Sequence, residues 1–117
     1  MSGQSNVEYV FEAKDRDGDP VRCDAKSWKR KIAREHPELA GCERHVAEAI
    51  EQPDLIFRDR DYPDRRVFLK LGTVRPKFYL RVVVEYALIR GSFKGRVVTA
   101  FLTPDLREGD TLLWVRP

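Results

Sequence analysis

Cysteine is scarce, with only Cys23 and Cys42 in 117 residues, and two thiols separated by a predicted helix give neither a disulfide framework nor a metal-ligand spacing. Both are read as small, partly buried free thiols. Long apolar runs are also missing: no stretch approaches the roughly 20 residues a membrane-spanning helix requires. Residues 1–6 are polar and lack a cationic start followed by an apolar segment, so neither secretion nor a bilayer is indicated and a cytoplasmic site of action is expected. There is no internal repeat and no low-complexity segment. What is present is 42% hydrophobic and 35% charged residues with a negative mean hydropathy. That composition fits a soluble globular protein, and the length suits one domain over 1–117 with one core.

The net charge of +3 is unevenly spread. Between Arg58 and Arg81 eight Lys or Arg residues stand against three Asp, a local +5 that leaves −2 for the rest of the chain. Such a band is the footprint of something that meets phosphates. The bland alternative is that Arg60, Arg65 and Arg66 pair with neighbouring aspartates in a solvated loop.

Val7, Tyr9, Phe11 and Ala13 alternate with polar residues and predict a strand over 7–13,. The run Asp15-Arg16-Asp17-Gly18-Asp19-Pro20 is spaced somewhat like a calcium loop. Its glycine falls at the fourth position instead of the sixth, and Lys26 stands where a bidentate Glu is needed, so it reads as a tight turn,. A short strand over 21–23 would complete a hairpin in residues 1–23. Asp24 is the expected N-cap of a helix running to His36, where Pro37 stops it; a second helix is predicted over 41–52, stopped by Pro53. Trp28, like Trp114 later in the chain, is read as core, and His45 as a flank residue. Helices in 24–52 give way to strands in 53–117: 54–58, 66–71, 79–87, 96–103 and 111–115. The connections 59–65, 72–78 and 89–95 have hairpin length.

Segregated helices followed by a strand meander predict an α+β fold, with two N-terminal helices packed on one face of a four- to five-stranded antiparallel sheet. Parallel pairing is disfavoured because the connections are too short for crossovers. Strand alternation sets Leu80, Val82, Val84 and Tyr86 against Tyr79, Arg81, Val83 and Glu85. It likewise sets Val98, Ala100 and Leu102 against Val97, Thr99, Phe101 and Thr103,. With Val67, Leu69 and Leu71 taken as core, the second face collects Arg66, Phe68, Lys70, Tyr79, Arg81, Thr99, Phe101 and Thr103; strand 54–58 is ambiguous, since Leu55 and Phe57 compete with Ile56 as inward residues, and Arg58 is placed on this same face. Cations that hold phosphates beside rings that stack on unpaired bases make single-stranded RNA a sensible ligand.

The order Trp28, His36-Pro37-Glu38-Leu39, Ile50-Glu51-Gln52-Pro53-Asp54, Leu80-Arg81-Val82-Val83-Val84 and Val97-Val98-Thr99-Ala100-Phe101 resembles the phage-associated branch of the barnase, EndoU, colicin and RelE-like nucleases, over about residues 25–115. The resemblance implies a metal-independent, toxin-like ribonuclease in which the substrate's own 2′-hydroxyl attacks, with no cofactor and with an inhibitor or antitoxin protein as a further partner. A base, a phosphate clamp and an acid are then required. His36 is the candidate base or acid, because imidazole exchanges protons near neutral pH. Arg81 and Lys70 are candidate clamps, and Thr99 a donor to the same phosphate. Arg58, Arg66, Phe68, Tyr79 and Thr103 would bind the nucleic acid. Each has a structural counterpart: His36 as a helix-end residue, Thr99 as a strand former, Arg81 in an ion-pair network. A non-catalytic binding module of the same fold is the competing reading, and the aromatic second face also admits a weak dimer in place of a monomer.

Overall fold

The alternating N-terminal segment becomes strand β1 (Tyr9–Lys14) in the computed structural model, which describes residues 7–117. The chain turns where the Asp15 carboxylate accepts the amides of Asp17 and Asp19, each at 2.9 Å, and returns as β2 (Pro20–Asp24). The Asp24 carboxylate then accepts the amides of Lys26 and Ser27 at 2.7 and 3.3 Å, the expected N-cap,. Helix α1 follows in three continuous pieces, Ala25–Ser27, Trp28–Ile32 and Ala33–Glu35; the middle piece is a π turn. A single 3-10 turn, Pro37–Leu39, leads to helix α2 (Glu43–Glu51). The rest is strand: β3 (Leu55–Arg58), β4 (Arg65–Leu71), β5 (Tyr79–Ile89), β6 (Ser92–Thr103) and β7 (Thr111–Val115).

The α+β class stands, but the sheet is larger than the sequence predicts. Seven strands run in the order β1-β2-β6-β5-β4-β3-β7, so the N-terminal hairpin joins the sheet instead of standing apart. All neighbours are antiparallel except β2 and β6, which pair parallel through Val21↔Gly95 and Arg22↔Arg96. Short connections do not forbid that pair, because both helices and three strands intervene between its members. The hairpin 89–95 is also tighter than predicted. Arg90 and Gly91 adopt φ values of 51° and 81°, the two positive angles of a two-residue turn whose twist matches the strands. Pairing therefore continues up to Ile89↔Ser92.

Trp28 and Ile32 of α1 and Val46, Ala47, Ala49 and Ile50 of α2 share one buried cluster with Ile56, Phe68, Leu80, Val82, Val84 and Ala100 of the sheet. A smaller cluster of Val67, Leu69 and Val83 lies apart from it, with Leu55, Phe57, Tyr79 and Val98 packed against it. The centre of the sheet is thus buried on both sides. This reverses the predicted register of β4. Val67, Phe68 and Leu69 are all buried, so alternation alone could not choose between the faces, and the largest ring takes the side that the helices cover. A register shift opposite Val83/Val84 likewise sends Val97 to the helix-side cluster and Val98 to the other,. Cys23 and Cys42 are free thiols, and burial pushes that of Cys23 up to about 12.

Gly95 is where β2, β5 and β6 approach most tightly. A Cβ there would lie 2.7 Å from Val84 Cγ1 and 3.1 Å from both Tyr86 and Val21 side chains. Gly95→Ala is expected to destabilise the protein by about 1–3 kcal/mol, the usual cost of overpacking a filled site. Urea unfolding measures it, and a loss below about 0.5 kcal/mol, within the range of ordinary surface changes, would contradict the packing at this crossing.

Candidate functional site

The second face of β5 and β6 holds a concave pocket of about 420 Å³. Its floor is Arg81 and Val83 of β5 with Thr99, Phe101 and Thr103 of β6; its walls are the loop after β3, with Asp59 and Tyr62, and the loop before β7, with Asp105 and Arg107. These floor residues share a face because Arg81 pairs with Phe101 and Val83 with Thr99 across the ladder,. Tyr79 is opposite Thr103 on the same face. His36, at the end of α1, is not one of the lining residues and approaches the pocket through Phe101. Its ring stacks on Phe101 with centroids 5.4 Å apart and planes 29° apart, and its Nδ1 lies 3.9 Å from the Glu38 carboxylate. Its own amide donates to Ile32 O at 2.8 Å, closing the helix, so the backbone does the capping while the ring is left to the sheet. Of the residues singled out in the sequence, Arg81, Thr99 and Thr103 line the pocket with Phe101, His36 stacks on Phe101 without lining it, and Tyr79 stands beside it opposite Thr103.

The pocket's charges are matched where they stand. Arg81 donates to the Asp110 carboxylate at 3.2 Å, with the two side chains 5% and 1% exposed. Its guanidinium also lies 5.9 Å from the Phe101 ring centroid. Arg65 donates to Glu85 at 3.2 Å and covers the Tyr62 ring at 4.0 Å. Hydrogen bonds from Arg96 and Arg65 hold the Glu85 carboxyl below its ordinary value,. Arg107 bridges Asp59 at 3.6 Å and Asp61 at 2.6 Å, tying one loop to the other. Thr103 Oγ1 is engaged with the backbone of Asp105. The Thr99 hydroxyl makes no side-chain hydrogen bond among the described residues and is the free donor of the floor.

Asp59 offers a test of these ties. Its burial works against its charge, but the amides of Asp61 and Tyr62, at 2.8 and 3.1 Å, and the Arg107 and Arg81 cations outweigh it. The carboxyl is held below its ordinary value of 3.8. A depressed folded-state value means stability that is complete above the unfolded value and is lost as pH falls through the folded one. Asp59→Asn should therefore lower stability near neutral pH and flatten the decline on the acid side below about pH 4. Denaturation midpoints across that range read it, and an acid decline as steep as that of the parent chain would count against the ties.

Four predicted residues lie elsewhere: Arg66, Phe68 and Lys70 through the reversed β4 register, and Arg58 of β3 beside its cross-strand partner Arg66. Phe68 is 1% exposed and belongs to the core beneath the helices, so it is no stacking platform. Arg58 and Arg66 sit opposite each other on β3 and β4 and border a different hollow, shared with Arg16 and Trp114. Arg66 donates to Asp17 at 3.1 Å, and Arg16 covers the Trp114 ring at 3.9 Å. Lys70 donates to the Gln52 carbonyl at 2.7 Å, at the end of α2. It acts as a helix-end cation there, away from Arg81. Asp15, Asp17 and Asp19 bring their carboxylates within 4.8 Å of one another. Asp15 is already engaged by two amides and by the Tyr86 hydroxyl at 2.7 Å, which makes it the organiser of the turn.

Asp59, Tyr62, Asp105, Arg107 and Asp110 escaped the sequence reading. They stand in loops with no periodicity, and only the antiparallel pairing of β3 with β7 brings Asp110 beside Arg60, whose amide it accepts at 2.9 Å. Comparison with protein-family models, with curated proteins and with solved structures returns no match. No helix among the described residues is long and apolar enough to cross a membrane.

Proposed function

We propose that this chain is an endoribonuclease that cleaves RNA by attack of the substrate's 2′-hydroxyl, without a metal ion, at the pocket on the second face of β5 and β6. The observation that carries the reading is His36 stacked on Phe101 at 5.4 Å, which sets an imidazole at the margin of a hollow floored by Arg81 and Thr99. In the first half of the reaction the imidazole takes the 2′-hydroxyl proton as the oxygen bonds to phosphorus. The bond from phosphorus to the 5′-oxygen then breaks, and that oxygen receives the proton held by the imidazolium, relayed through water, which regenerates the neutral imidazole. The products are a 2′,3′-cyclic phosphate and a 5′-hydroxyl. Thr99 and the Arg81 N–H groups not used by Asp110 donate to the phosphate oxygens as charge gathers on them. Phe101 and Tyr79 offer ring faces to a neighbouring base. An inhibitor or antitoxin protein would act by covering this hollow.

One observation favours a second reading, a non-catalytic module that binds nucleic acid or protein through the same face. Arg81 already has its charge matched by Asp110, which lessens what it can give to a phosphate. Incubation with a mixed RNA pool in EDTA separates the two. Cleavage leaving cyclic phosphate ends supports the nuclease, and inactivity across RNA classes favours the binding module.

A further inference from the structure

Outside the pocket, the densest charge in the molecule is on α1, which carries Lys26, Lys29, Arg30, Lys31 and Arg34 and no acid until Glu35. All five cations are exposed, while Trp28 and Ile32 of the same helix are buried. None forms an ion pair among the described residues, and residues 1–6 contain no acid. The central basic band behaves differently: Arg60, Arg65, Arg66 and Arg81 each meet a carboxylate. The other cations of that band, Arg58, Lys70, Arg75 and Lys77, form no ion pair but are spread over two strands and a loop, whereas the helix gathers its five unpaired cations within residues 26–34. The π turn contributes to this. Its Ala33 amide donates to the Trp28 carbonyl five residues back, and three consecutive cations, Lys29, Arg30 and Lys31, fill the widened turn on the side away from the core.

The helix also has a direction. It ends at His36, whose ring rests on Phe101 at the pocket margin. A cationic ridge that terminates at the candidate catalytic group complements a polyanion longer than the pocket can hold. We infer that α1 is the docking ridge for the phosphodiester backbone of single-stranded RNA, held by Lys26, Lys29, Arg30, Lys31 and Arg34 and led by them to His36. This rests on the reading of RNA as the substrate and extends it from the cleaved phosphate to the flanking strand. Contacts of this kind bind without regard to sequence and are strongly salt-dependent, because each phosphate neutralised releases counterions.

The test is a salt titration of binding, using a short fluorescein-labelled 2′-O-methyl oligoribonucleotide that lacks the attacking hydroxyl. Fluorescence anisotropy gives the affinity without any contribution from cleavage. Replacing Lys29, Arg30 and Lys31 together by glutamine keeps helix propensity and removes three contacts. The slope of log affinity against log salt should then become shallower by about 2. Affinity at about 0.1 M salt should fall about a hundredfold, with the two proteins converging near 1 M. Arg34→Gln alone should change the slope by about 0.7. Arg44→Gln, on α2 and paired with Glu51, should leave it near that of the parent. An unchanged slope in the folded triple variant overturns the ridge. So does a parent chain that ignores the oligonucleotide but binds polyglutamate through these residues, since the partner is then an acidic protein. Cleavage of unmodified RNA is scored separately. A lost slope with no cleavage by the parent keeps the ridge and removes the nuclease; cleavage with an unchanged slope does the reverse.

Discussion

A His36→Ala protein is expected to keep its fold and to cleave RNA about 10²- to 10⁴-fold more slowly than the parent, the range usual for loss of a general acid or base. The fold should survive because the imidazole is about 29% exposed and its main packing partner is one face of Phe101. The helix ends through the backbone amide of residue 36, which any non-proline residue supplies. The loss should fall on kcat more than on KM, since the group is asked to move a proton and not to hold the strand. Phe101→Leu is a useful companion, because it leaves the imidazole in place but removes the ring that orients it. Its effect should lie between parent and His36→Ala. Equal rates for parent and His36→Ala, at matched folding by circular dichroism, would take the imidazole out of the reaction.

The second large effect is on stability. Asp110→Ala is expected to cost about 3–5 kcal/mol, because it leaves the Arg81 guanidinium buried without its counter-charge. The Arg81 and Asp110 side chains are 5% and 1% exposed and 3.2 Å apart, so little solvent is at hand to replace the lost partner. For a chain of this size that corresponds to a drop of about 10–20 °C in Tm. Replacing both partners by apolar residues of similar volume, Arg81→Met with Asp110→Leu, should recover most of the loss. That double variant separates the charge penalty from loop packing. Thermal and urea unfolding give both numbers, and a cost below about 1 kcal/mol for Asp110→Ala would mean that the pair is open to solvent. Activity losses in Arg81 variants should accordingly be measured well below their transition temperature, where they report the site and not the folded fraction.

The elements were legible because their signals are local. Asp24 caps α1 as its position before the helix predicts, and the alternation of Leu80, Val82 and Val84 against Tyr79, Arg81 and Val83 is the arrangement found in β5. The same alternation gathered His36's neighbours on one face: Arg81, Thr99, Phe101 and Thr103 were recoverable from period two alone. What local pattern could not reach was pairing between distant strands and the choice of face where a strand is apolar throughout. Val67-Phe68-Leu69 satisfies burial on either side of the sheet, so the misassigned register carried Arg66, Phe68 and Lys70 to the wrong face together; Arg58, on β3, went with them because Leu55, Ile56 and Phe57 leave that strand's face equally open. The parallel β2–β6 pair and the Arg81–Asp110 bond join residues far apart in the chain, and neither leaves a mark in either segment by itself.

The parallel pairing also orders events during synthesis. Val21 and Arg22 have no sheet to join until Gly95 and Arg96 have been made. Until then β2 is paired on one side only, with β1. The β5–β6 hairpin, by contrast, draws both its strands from adjacent sequence joined by a two-residue turn. The imidazole of His36 is likewise translated well before Phe101 of β6, the ring on which it stacks.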